Sequence, residues 1–216
     1  MTDRAAAGGP ARGTDGAARR RVLVVACGAL VREVRAVLAQ LPDVDVDVEY
    51  LPANLHNRPE RITGAVCAVL DAPTAAGYDH KAVAYGDCGT GGLLDAALAE
   101  RDVPRLAGAH CYEVLAGTGV FDALQEAEPG TFYLTDYLVR HFDALVMGGL
   151  GLDRHPELRD AYFGNYRRVV HLAQADSVEL QAAAELAAAR LGLAYERRLV
   201  GLGPFRAGLE RILEPA

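Results

Sequence analysis

Lysine is almost absent from this chain. Of its 22 lysine and arginine residues Lys81 is the single lysine, and arginine supplies the others. Schiff-base and phosphate-loop mechanisms both require a lysine at the chemistry. Lys81 opens the strand-like run Lys81–Tyr85, at the end opposite the usual ligand crevice of a parallel sheet, so both mechanisms are set aside. Arginine preference of this kind fits a GC-rich bacterium. Cysteine is scarce too: there are four, with no CxxC pair, which excludes zinc-ribbon and thioredoxin motifs. Residues 1–20, rich in Ala, Gly, Arg and Thr, lack the apolar stretch of a secretory signal. No apolar run reaches membrane-spanning length. The expectation is a soluble protein of a reducing cytoplasm, where cysteines serve as thiols, ligands or nucleophiles rather than disulfides. A net charge of -7 argues against nucleic acid or an anionic membrane as partner. It leaves room for a small anionic ligand held in one pocket.

Apolar residues make up 51% and charged residues 24% of the 216, which is enough for a packed core. Residues 1–20 read as a disordered head and residues 21–216 as a single α/β domain. Strands are expected at Val22–Ala26, Val46–Leu51, Ala82–Gly86, Arg105–Ala107, Ala144–Met147, Val169–Leu172 and Arg197–Val200. Helices are expected at Leu30–Gln40, Pro59–Leu70, Leu93–Arg101, Thr135–His141, Val178–Leu191 and Pro204–Leu213. This alternation predicts a mostly parallel sheet with helices on both faces. The break near residues 128–131 is the place for a division into two Rossmann-like lobes.

Open parallel sheets bind ligands outside the carboxyl ends of their strands. Cys27 follows the first strand there. Asp87-Cys88-Gly89-Thr90-Gly91-Gly92 follows the third, His110-Cys111 the fourth, and a glycine-rich stretch leading to His155 the fifth. Each of these cysteines alone reads as a small residue at a tight turn, whereas three on one edge point to a site. Cys27, Cys88 and Cys111 are therefore candidate metal ligands. Asp87, His110 and His155 are candidate catalytic groups, with Cys111 rather than His110 expected to reach the site because adjacent residues point opposite ways. Gly89, Gly91 and Gly92 allow close backbone approach and are candidate cofactor contacts. His56 and Arg58, after the second strand, join them as partners for an anion. Cys67, inside the apolar run Ala65–Leu70, reads as a buried core residue. The aromatic and arginine cluster Tyr162–Arg168 reads as a pocket wall or a subunit contact.

Cys27-Gly28, Leu55–Arg61, Tyr85–Gly92, Gly108–Glu113, Glu128–Phe142 and Gly149–Arg168 together resemble an uncharacterised prokaryotic family, domain of unknown function 1638. The resemblance runs over residues 21–213. It implies no settled activity. It implies a setting near corrinoid-dependent methyl transfer and one-carbon metabolism, with corrinoid methyltransferase-related proteins as partners. Asp87–Gly92 is also similar to the Asp-Ser-Gly-x-Gly-Gly loop of two-cysteine amino-acid racemases. It departs from them in following the third strand and in lacking their Cys-Asn-Thr and Cys-Thr-His contexts.

Three thiolates from three strand ends leave an open position on a metal, as catalytic zinc requires, and are equally compatible with an iron–sulfur cluster. The leading expectation is a metal- or cofactor-dependent enzyme or cofactor-handling protein. The alternatives are a metal-free, racemase-like thiol enzyme and a non-enzymatic small-ligand binding protein.

Overall fold

The computed structural model describes residues 19–41 and 44–215. The expected disordered head therefore falls, apart from Arg19 and Arg20, outside the described residues. The chain is an α/β protein with two parallel sheets of three strands each. It divides into two compact units, one of Met1–Val114 with Phe205–Ala216 and one of Leu115–Pro204. The division falls after Val114. Glu128-Pro129-Gly130 instead forms a turn, with the Gly130 amide donating to the Glu128 carboxylate at 2.8 Å.

In the first unit β1 (Arg21–Cys27) lies between β2 (Asp45–Leu51) and β3 (His80–Ala84), parallel to both. The run Val22-Leu23-Val24-Val25-Ala26 shows no alternation because a central parallel strand is covered on both sides. Val22, Val24, Val25 and Ala26 are fully buried, each large side chain contributing roughly 1.5–3 kcal/mol of transfer free energy. Register decides which residues share the sheet edge: Cys27 pairs with Leu51, and Ala26 pairs with Ala84. Cys27 and Tyr85 are thus each one residue beyond the Ala26–Ala84 pair, at the same edge. The intervening helices are α1 (Val31–Leu38), α2 (Ile62–Leu70) and α3 (Leu93–Ala99). The buried stripe of α2 is Ile62, Val66 and Leu70, at helical spacing. Cys67 falls one position off that stripe and is half-buried rather than a core residue. The expected fourth strand is one bridge, Val83 to Arg105, held by Val83 N donating to Pro104 O and Leu106 N donating to Val83 O. It leads into α4 (Cys111–Ala116).

The second unit contains α5 (Thr118–Ala127), β4 (Thr131–Thr135), α6 (Asp136–Arg140), α7 (Arg159–Phe163), β5 (Arg168–Ala173), α8 (Val178–Leu191) and β6 (Ala194–Leu199). β5 is central, and Val169 to Ala173 are fully buried. Ala144–Met147 is not a strand but part of a π-helix, Asp143–Gly148. A short apolar run cannot be assigned by periodicity alone, and here β4, with Phe132, Tyr133 and Leu134, takes the place in the sheet. The ends of α8 were legible. The Ser177 hydroxyl accepts from Leu180 N at 3.2 Å, and Gly192 closes the helix at φ 71°. The Tyr162–Arg168 cluster is only partly core: Phe163 is buried, and Phe132, Phe163 and Tyr166 pack ring to ring at 5.2 to 5.9 Å, Arg168 pairs with Glu196 on β6 and donates to Thr131 on β4, while Tyr162 and Arg167 are exposed. The last helix, α9 (Gly203–Leu213), belongs to the first unit from Phe205 on and buries Phe205, Leu209, Ile212 and Leu213 there.

Candidate functional site

The carboxyl edge of the first sheet brings together Cys27, His56, Tyr85, Cys88 and Cys111. Cys27 ends β1 and is buried. His56 comes from the short 3-10 turn Ala53–Asn57 that comes after β2. Tyr85 and Cys88 lie just past β3, and Cys111 opens α4.

Two glycines let these segments meet. At Gly28 a Cβ would stand 2.7 Å from Leu51 O and 3.2 Å from Ala53 N, so the exit of β1 can touch the exit of β2 only without a side chain. At Gly86 a Cβ would stand 3.1 Å from Gly108 O and from His110 N and Cα. The β3 exit is then stitched to the Gly108 segment: Asp87 N donates to Gly108 O at 3.0 Å and Cys88 N to Ala109 O at 2.7 Å. Those bonds carry Cys88 towards Cys111. Cys88 itself takes a left-handed φ of 51°, which for a side chain with a Cβ costs on the order of 1–3 kcal/mol.

His56 is the hub. Its imidazole faces the thiols of Cys111, Cys27 and Cys88, with Nδ1 3.9 Å from Cys27 Sγ and 2.8 Å from Ala53 O. The three sulfurs, Cys111 foremost, hold the imidazole protonated far above the ordinary histidine range, and burial opposes them only in part. Burial pushes the Cys111 thiol up while His56 pulls it down. Ala29 N donates to Cys27 Sγ at 3.4 Å. Tyr85 is fully buried, and its hydroxyl makes no well-formed hydrogen bond. Its neighbours are the sulfurs of Cys27 and Cys88, and burial, followed by those sulfurs, raises its phenol.

The other sequence candidates sit differently. The Asp87 carboxylate accepts from Thr90 Oγ1 at 2.5 Å, Gly92 N at 2.9 Å and Gly91 N at 3.1 Å. Thr90, followed by these amides, keeps its carboxyl below the usual range. Asp87 is therefore the clasp of its own loop, and the Gly91 and Gly92 amides, expected to face a ligand, are spent on it. Gly89 sits against Pro59 and has φ 85°. His110 packs its ring edge-on to Tyr112 at 5.3 Å, while Cys111 is the residue that meets His56. Arg58 is exposed and forms the end of the His56 turn. His155 belongs to the second unit, is exposed, and pairs with Glu157 at 3.2 Å. The strand that was to carry it to a sheet edge is the π-helix.

Sequence reasoning missed Tyr85 because it read the whole of Lys81–Tyr85 as sheet core. The signal was its position, level with Cys27 across the Ala26–Ala84 pair. It also placed His56 only as an anion contact.

In donor chemistry the four groups suit a thiophilic ion. A ring nitrogen resting on a backbone carbonyl, as Nδ1 does on Ala53 O, is how metal-binding imidazoles are oriented, and it leaves Nε2 as the ligand atom. With metal–sulfur bonds of about 2.3 Å and metal–nitrogen bonds of about 2.0 Å, the corners of a tetrahedral site lie about 3.6 Å apart. The 3.9 Å between Cys27 Sγ and the ring is measured to Nδ1, the nitrogen on the Ala53 carbonyl, and not to Nε2. The shell is not closed: among the described residues no group of three or more His, Cys, Asp or Glu is spaced to hold a metal ion.

Among the described residues no helix is long and apolar enough to cross a membrane. No curated protein and no solved structure matches the chain. A family model does match, over residues 50–209; His56, Tyr85, Cys88 and Cys111 fall inside the match, while Cys27 and the rest of β1 precede it. The chain belongs to the family described as protein of unknown function DUF1638.

Proposed function

We propose that Cys27, Cys88, Cys111 and His56 bind a single thiophilic metal ion, and that the protein works through it as a metal-dependent enzyme on a small ligand. The observation that carries this reading is one imidazole facing three thiols from three strand ends. When bound, such an ion supplies Lewis acidity and charge for polarising a ligand. The chain's own contributions are distinct. Gly28 and Gly86 bring the donors together, the Ala53 carbonyl orients His56, and the Asp87 carboxylate is held by Thr90, Gly91 and Gly92 of its own loop. Metal analysis of anaerobically purified protein tests the reading. The expected result is stoichiometric zinc or a related ion in the wild type, lost in Cys88→Ser and retained in Cys67→Ser.

A second reading, metal-free thiol chemistry, draws on the same imidazole. Protonated among thiols, His56 would hold one of them as a thiolate nucleophile. It predicts metal-free protein with one thiol that alkylates fast near neutral pH, abolished in His56→Asn.

A further inference from the structure

The second sheet ends in two unlike edges. On β4 Thr131, Tyr133, Leu134 and Thr135 are buried, whereas no residue of β6 is. β6 pairs with β5 on one side only. Ala194 N donates to Arg167 O and Val200 N to Ala173 O. Main-chain groups alternate along a strand, so the amides of Tyr195, Arg197 and Leu199 face away from β5. An open edge of this kind is a template for another strand. Edges guarded against pairing carry proline or charges that repel a partner. β6 has no proline, and its charges differ in sign: Glu196, Arg197 and Arg198. Glu196 and Arg198 share one face of the sheet, with Arg198 Nε 2.7 Å from Glu196 Oε1. That oxygen is buried and has no well-formed hydrogen bond. The other carboxylate oxygen accepts from Arg168 at 2.5 Å.

We propose that β6 pairs antiparallel with β6 of a second copy of this chain, about a two-fold axis through Arg197, so that the two sheets join edge to edge. Parity and charge choose the register. Centred on Arg197, the outward main-chain groups of Tyr195, Arg197 and Leu199 meet those of Leu199, Arg197 and Tyr195 in the second copy. Glu196 then stands opposite Arg198 of the second copy, and Arg198 opposite its Glu196. These are non-hydrogen-bonded pairs, in which side chains come closest. The four charges alternate in sign around the axis, and the facing Arg198 brings a donor to the Glu196 oxygen that lacks one. On the other face Leu199, exposed at the end of the edge, lies against Tyr195 of the second copy. The two Arg197 residues face each other, each neutralised by its own Asp176 at 2.7 Å. Moving the axis by one residue either way sets Glu196 opposite Glu196 or Arg198 opposite Arg198, and like charges directly opposite destabilise a sheet. A two-fold contact uses one patch twice, and β6 carries both halves of the match.

Sedimentation equilibrium of the full chain, combined with residue-resolved hydrogen exchange, tests this. The wild type should be a dimer with the amides of Tyr195, Arg197 and Leu199 protected. Arg198→Glu turns both cross-strand pairs from attraction to repulsion and should raise the dimer dissociation constant about tenfold or more, with protection of the three amides lost. Glu196→Arg should do the same. An equimolar mixture of the two variants should regain association, because in the mixed dimer every introduced charge meets its opposite. Should Glu196→Arg fold poorly for want of the Arg168 partner, Arg198→Glu and the wild-type exchange pattern carry the test alone. A monomeric wild type whose three amides exchange fast would overturn the proposal. So would protection of those amides in a monomer, which would put another segment or a foreign strand on the edge. A dimer that Arg198→Glu leaves as tight as the wild type would also overturn it and place the interface elsewhere.

Discussion

Cys27 Sγ and His56 Nδ1 stand 3.9 Å apart across 29 residues of sequence. The contact joins the exits of two adjacent parallel strands, and it is available because Gly28 clears the path past Leu51 O and Ala53 N. Two strands in register place their ends side by side, but only a residue without a Cβ lets the turn after β2 fold back onto the last residue of β1.

Gly28→Ala is therefore the most specific way to part the two groups without touching either. A methyl group at 2.7 Å from a backbone oxygen forces a backbone shift, at about 1–3 kcal/mol. Denaturant unfolding should show that loss, and metal content should fall although all four donors remain. Normal metal content in a destabilised Gly28→Ala protein would show that the approach of β1 and β2 serves packing alone.

Cys67 is the internal control. It lies off the buried stripe of α2 and is half-buried. Cys67→Ala should change stability by less than about 1 kcal/mol and leave metal content and its spectrum as in the wild type. Metal loss in this variant, with circular dichroism unchanged, would mean that Cys67 and not one of the strand-end cysteines serves the centre.

Much of this was legible before the structure. Val22–Ala26 and Val169–Leu172 are β-branched runs that bury on both faces, and each became a central strand. Ser177 and Gly192 punctuate α8 with side-chain and backbone chemistry visible in the letters. The rule that ligands gather at the carboxyl ends of parallel strands pointed at Cys27, Cys88 and Cys111, and the Cys27 sulfur stands 3.9 Å from the His56 ring. What was not legible depends on the third dimension. Ala144–Met147 has no period to tell strand from helix. The direction of the Asp87 carboxylate is set by the amides of its own turn. Tyr85 becomes part of the site only through pairing register, which a single sequence does not display.

In the second unit Asp136 and His171 form a buried pair, 2% and 1% exposed, with Oδ1 and Nε2 2.9 Å apart. The other Asp136 oxygen accepts from Ala175 N at 3.0 Å, and Asp136 N donates to Gln174. Asp136→Ala leaves the buried His171 ring and the Ala175 amide without their partner and should destabilise that unit by about 2–4 kcal/mol. Hydrogen exchange would show it as a loss of protection in β4 and β5. Exchange rates unchanged in those strands would contradict a locking role for the pair.

Arg105 holds Asp95 through two bonds, at 2.6 and 2.8 Å, and also donates to Leu106 O and Gly108 O. Arg105 keeps the Asp95 carboxyl below the usual range. A carboxyl depressed in the folded state stabilises above its unfolded value of about 4 and loses that contribution as pH falls through the folded value. Acid unfolding followed below about pH 4 should therefore be shallower in Asp95→Asn than in the wild type. The difference should be small and should shrink in salt, because Asp95 is 54% exposed. A steeper acid limb in the variant would show the opposite sign of linkage.

The central claim is that three sulfurs from three strand ends share one metal ion. X-ray absorption at the edge of the ion bound by anaerobically purified protein counts those sulfurs directly. The expected first shell is three sulfurs at about 2.3 Å and one light atom at about 2.0 Å, with one sulfur fewer in whatever metal Cys111→Ser retains. A shell of nitrogen and oxygen alone, or full-length folded protein that carries no metal and refuses it on addition, would contradict the claim.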